Sequence, residues 1–210
     1  MIDFIVKGGP IMYPLLACSF ISLTVIIERA LFWVREDIRT DRRLEEDVLE
    51  LCREGNWDGV RRKVAGSLDH VVRIMVSGIL HREFSMTKAM ESAAAEELAR
   101  MRKNLSVLDT MITVAPLLGI LGTVIGIINS FEILGSSGID HPQAVTGGIA
   151  QALITTAAGL SIAILSVLPF NYFNGRVEKA ASSIEIYATS LEIVYEKLLQ
   201  SHPEKGRPPS

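Results

Sequence analysis

Residues Ala115–Phe131 read APLLGILGTVIGIINSF, a charge-free apolar run that nevertheless carries a proline, three glycines, a threonine, an asparagine and a serine. An anchor that met only lipid could be leucine and valine throughout. These residues therefore face something other than lipid, and the remainder of the chain indicates what.

The run sits in a longer one. Thr110–Phe131 gives twenty-two residues without a charged side chain, Pro142–Gly175 gives thirty-four and Gly8–Ile27 gives twenty. A helix needs about 20 predominantly apolar residues to cross a hydrocarbon core. With 49% hydrophobic residues and a mean hydropathy of +0.32 despite 21% charged residues, the chain reads as an integral membrane protein with segregated charges.

The cations set an expected orientation. Lys7 precedes the first span, none lies between Asn104 and Gly175, and the other twenty of the twenty-one Lys and Arg fall in Arg29–Lys103 or from Arg176 onward. By the positive-inside bias, the amino terminus and the Gly135–Val145 loop lie outside, and the long loop and carboxyl terminus are cytoplasmic. Asp3 ahead of the apolar run, with no basic region and no small-residue cleavage site, argues for a retained first span over a cleaved signal. The basic residues follow topology, so no nucleic-acid partner is expected at a net charge of −3. Cys18 and Cys52 lie where a structural disulfide is not expected.

The expected fold is an all-α membrane protein with three transmembrane helices, the second and third extended into the cytoplasm. Its segments are an outside amino terminus with the first helix (1–34), a cytoplasmic helical loop (35–105) and the second helix (106–134). A short outside loop (135–145), the third helix with its extension (146–200) and a polar, Pro-rich, disordered tail (201–210) complete it. Within the loop, Leu44, Val48, Leu49 and Leu51 suit a short amphipathic helix over Asp41–Arg53, and GNWDG reads as a turn before another. Met86, Met90, Ala94, Leu98, Met101, Leu105 and Leu108 make one apolar face, predicting a helix that runs unbroken into the second span. Val177, Ala181, Ile184, Ala188, Leu191, Val194 and Leu198 carry a heptad-like stripe beyond the third, a seam expected to want partners. Pro169 is an expected kink point. Thr146–Gln200 as one helix would be about 80 Å long, against roughly 30 Å of hydrocarbon.

On a helix, Gly119, Gly122, Gly126 and Asn129 share a face, with Thr123 and Ser130 beside them, and Gly122–Gly126 is a GxxxG pair. The third span presents Ala152, Thr156, Gly159 and Ala163 on one stripe, with Gly148, Gln151 and Thr155 beside it. Two readings stand. The faces are either packing surfaces whose hydroxyls and amide join helices, or the lining of an ion path around a polar partner helix. Glu28–Arg29 reads as an interfacial anchor or an intersubunit contact. Asp109 and Glu132 are either solvated helix ends or pathway mouths. His70, His81, His141 and His202 have no ligand spacing, so no metal site is expected. Without a Walker-type glycine loop or a nucleophile–base pair, neither a cofactor nor an enzyme activity is expected.

The paired strings APLLGILGTVIGIINSF and GGIAQALITTAAGLSIAI, with IIERALFW and REGNWDGV, resemble the ExbB/TolQ/MotA proton-channel family, nearest its ExbB and TolQ branch. The resemblance covers all three spans. It implies a pentamer in the bacterial inner membrane around an ExbD- or TolR-like single-span partner, with proton flow driving mechanical work at the cell envelope. A flagellar or gliding stator and a passive oligomeric scaffold are the alternatives. Carried over by motif, the pore threonines are Thr123 and Thr156. Gln151 stands where ExbB and TolQ usually have Glu, and an amide does not exchange a proton near neutral pH. Thr123, Thr156 and Gln151 are thus the expected ion-pathway residues, and Gly119, Gly122, Gly126 and Gly159 the expected packing residues.

Overall fold

The computed structural model describes residues 8–82, 84–137 and 142–201. The expected tail beyond residue 201, the chain before Gly8, His141, His202 and the middle of the 135–145 loop lie outside the described residues. The described residues are helical, with no strand among them. In order, the helices are α1 (Met12–Arg39), α2 (Arg42–Arg53), α3 (Trp57–Lys63), α4 (His70–Leu80), α5 (Met86–Arg102), α6 (Leu105–Ser137) and α7 (Pro142–Ser201). Three segments, Met12–Arg39, Met86–Gly135 and Val145–Gln200, are long and apolar enough to cross a membrane. Helix continues through Pro169, and α6 and α7 extend into both ends of the expected 135–145 loop.

The chain divides into two units. The span unit comprises residues 1–30 and 104–174, the loop unit residues 31–103 and 175–210. In the span unit, Met12, Leu15, Cys18 and Ala115 form a buried cluster flanked by Met111, Leu118, Ala158 and Ile162. Arg29, almost fully buried, pairs with its neighbour Glu28, and Glu28 also accepts a 3.3 Å hydrogen bond from the Asn104 amide. The Glu28–Arg29 pair thus also makes a contact within the chain, to Asn104.

The loop unit has a core of its own. Side-chain caps set its helix starts: the Asp41 carboxylate accepts from Arg43 and Leu44 amides, Asn56 from Gly59, and Asp69 from Val71 and Val72. Gly55, at φ +69°, makes the turn between α2 and α3. Helix α4 has no clean period because it is buried nearly all round through Val71, Val72, Ile74, Met75 and Ile79. Each such side chain contributes about 1.5–3 kcal/mol on burial.

Two expectations need correction here. The long apolar face does not run unbroken into the second span: α5 ends at Arg102, and Asn104 sits at φ +63° before α6 begins. Asparagine is the residue besides glycine that tolerates this left-handed conformation, and it interrupts a helix without Pro or Gly. Nor does the stripe beyond the third span await another chain. Ile184, Leu191 and Val194 pack into one core with Val48, Cys52, Val71, Met75 and Met90, so the loop helices of the same chain fill that seam.

Candidate functional site

The span unit brings α6 and α7 together along small residues. A Cβ added at Gly119 would lie 3.0 Å from the Thr155 carbonyl oxygen and 3.1 Å from the Thr156 Cα. At Gly126 it would lie 2.9 Å from both the Ala152 Cβ and the Gly148 carbonyl oxygen, and at Gly159 it would run into the Ala115 carbonyl. These are backbone-to-backbone approaches that only glycine permits, the means by which membrane helices associate when lipid is as apolar as they are. Gly122 stands against the Thr155 side chain, with 2.6 Å to its Cβ.

Hydroxyls add three interactions along the same face. The Thr156 hydroxyl donates across the helix pair to the Gly119 carbonyl at 2.9 Å. Ser130, buried on α6, places its hydroxyl 2.9 Å from the Gly126 carbonyl and 3.1 Å from that of Val145. Thr155 is buried and donates to Ala152 of its own helix at 2.8 Å. The buried stripe on α7 therefore passes through Thr155, whereas its spacing favoured Thr156 as the central residue. On α6 it passes through Ser130, and Asn129 is exposed. Spacings of three and four fit either neighbour, and the close approach at Gly126 and Gly148 selects the serine.

Thr123 is placed differently from Thr156. It is half-buried, and its hydroxyl donates to the Ile120 carbonyl of its own helix at 2.6 Å. The Gln151 side chain lies against Gly9, where an added Cβ would be 2.8 Å from the Gln151 Cδ and the backbone has φ +69°. The structure thus joins Thr156 to Gly119 and Gln151 to Gly9, and leaves the Thr123 hydroxyl on its own helix. Asp109 and Glu132 are both exposed. Between Thr110 and Phe131, and between Pro142 and Gly175, no side chain can take up and release a proton near neutral pH.

A helix pair with a glycine-lined seam and half-exposed polar groups can admit a polar helix or ordered water beside it. Comparison with known families matches residues 67–186 to the MotA/TolQ/ExbB proton channel family. The chain is 35% identical over 206 residues to a putative biopolymer transport protein, ExbB-like 3, of Synechocystis sp., covering 94% of this chain and 96% of that one. It is 36% identical over 208 residues to ExbB-like 1 of the same organism, covering 94% and 80%. To the Tol-Pal system protein TolQ of Pseudomonas aeruginosa it is 34% identical over 109 residues, or 52% of this chain and 47% of that one.

Proposed function

The chain belongs to the MotA/TolQ/ExbB proton channel family, and from that premise we infer that it is an inner-membrane channel and motor subunit of the ExbB/TolQ type. It works as a homo-oligomer, a pentamer, around an ExbD- or TolR-like single-span protein and converts the proton gradient into mechanical work at the envelope. Its amino terminus is outside and its carboxyl terminus cytoplasmic.

One observation carries this reading: α6 and α7 lock together along glycine while Thr123 and Gln151 stay half-exposed at span depth. Hydrocarbon offers an amide no partner, so the Gln151 side chain belongs against protein or water, and the Thr123 hydroxyl, already bonded to the Ile120 carbonyl, keeps only its acceptor lone pairs for them. Thr123 and Gln151 line the path, and Thr156, committed to the Gly119 carbonyl, both lines it and holds the helix pair. The proton carrier is a carboxylate on the partner's span, because the three charge-free runs of this chain have none.

Proton flux into liposomes tests this directly. The protein alone is expected to leave the basal leak unchanged, and addition of the partner should open the path. Robust flux without the partner, or full flux with the partner's aspartate changed to asparagine, would overturn it.

Topology has its own test. Gly135→Cys and Asp58→Cys should label with an impermeant thiol reagent from opposite sides, Gly135→Cys from outside. Gly135 has open space around an added side chain, and the native Cys18 and Cys52 are buried. Burial also pushes the Cys52 thiol up to about 12, so it is unreactive near neutral pH. Labelling from the same side would exclude the three-span arrangement.

A further inference from the structure

The loop unit contains a buried charged cluster that neither its apolar core nor the proposed path uses. His70, the first residue of α4, places its Nδ1 3.2 Å from the Glu36 carboxylate near the end of α1, with both side chains buried. Arg100 of α5 reaches Glu36 at 3.4 Å and Glu97 at 2.7 Å, and Arg73 of α4 reaches Glu97 at 2.7 Å. Asp69, fully buried, caps α4 with one oxygen and accepts from the Asp41 amide with the other, at 2.8 Å. Glu45 of α2 is buried as well, with the charges of Asp69, His70 and Arg42 and the Tyr187 hydroxyl of α7 acting on it. Arg39 adds a positive charge on the α1 side.

We propose that His70 is a proton-operated latch that fastens the last turns of α1 to the loop bundle. In the imidazolium form the ring pairs with the Glu36 carboxylate 3.2 Å from its Nδ1, and its charge offsets those of Asp69 and Glu45. In the neutral form that charge is gone, the three carboxylates repel, and the positive charges left beside Glu36 are those of Arg100 and Arg39. The proton comes from, and returns to, the aqueous phase bathing the loop unit, so the latch reports the pH on that side.

Burial alone would push the His70 imidazolium down, but the close Glu36 carboxylate and the charges of Asp69 and Glu45 outweigh it, and the net shift is upward. A cation at a helix amino terminus opposes the helix dipole, which the Asp69 carboxylate offsets locally. Glu45 is also shifted upward, by burial first and the Asp69 charge second. A group whose folded pKa is raised contributes stability that is complete below its unfolded value and lost as pH rises through the folded one. For His70 that loss sets in above its ordinary value of 6.5, as pH rises through the raised folded one.

The test is thermal unfolding of the full chain in detergent from about pH 6 to about pH 9. The wild type should lose Tm as pH rises across that range, and His70→Gln should lose distinctly less. Equal slopes would overturn the latch. If His70→Gln does not fold, a chain with His81, His141 and His202 changed to Gln leaves one imidazole, which NMR should titrate above 6.5. Glu36→Gln in that background should bring its pKa down. Titration at or below 6.5, or indifference to Glu36→Gln, would equally overturn the proposal.

Discussion

Gly159→Val is expected to separate the second and third long helices, and it is the most damaging single substitution in the span unit. A Cβ there meets the Ala115 carbonyl and comes within 3.2 Å of the Gly119 Cα. Both are backbone, with no side chain to swing aside. Overpacking of a tight contact costs about 1–3 kcal/mol for added methylenes, and a branched side chain against backbone lies at the upper end. The variant should give little monodisperse protein and a sharply lower Tm in detergent. Gly175→Ala is the control: nothing lies within 4 Å of its added Cβ, and alanine in a helix is favoured over glycine by roughly 0.5–1 kcal/mol. A Gly159→Val protein that unfolds like wild type would mean that this face does not hold the helices.

Thr123→Val and Thr156→Val should separate conduction from packing. Valine keeps the shape and removes the hydroxyl. Thr156→Val loses the cross-helix bond to Gly119, and interhelical hydrogen bonds in membranes average about 0.6 kcal/mol with a maximum near 1.7, so its Tm should fall slightly. Thr123→Val loses only a bond within its own helix and should keep its Tm. Flux through the complex with the partner should fall in both. An unmet polar group in a desolvated path costs about 1–3 kcal/mol, or roughly five- to 150-fold. Normal flux in both variants would leave the hydroxyls as packing groups and return the scaffold reading.

Much of this was legible in the sequence because it rests on composition and period. The three charge-free runs follow from what hydrocarbon tolerates, and the stripe from Val177 to Leu198 does face a core. What the sequence left open was which surface each stripe meets. A heptad-like seam looks the same whether another subunit or the chain's own loop fills it, and only the packing of Ile184 and Leu191 on Val48 and Met75 distinguishes them. Helix α4 escaped for a related reason: burial on nearly every side erases the alternation that identifies a surface helix. Its cap was visible, since Ser67-Leu68-Asp69 precedes an apolar run. The joint at Asn104 was equally visible, as an asparagine after Arg102 and Lys103. The Thr155 and Thr156 exchange was not, because adjacent residues on a helix fit the same spacing.

The shared core of the loop unit also dictates an order of events during synthesis. Met75 and Val48 leave the ribosome long before Ile184 and Leu191, the residues that cover them. At about 5–20 residues per second, a gap of about 110 residues lasts roughly 5–20 s. Throughout that interval the second and third spans are still being inserted, and the nascent loop stands in water with an apolar flank uncovered. Joining its two ends means closing a long loop before any contact rewards it, which is slow compared with local helix formation. The half-made chain is therefore a substrate for chaperones and proteases, and a stop codon between residues 175 and 184 yields three inserted spans attached to a loop that cannot finish folding.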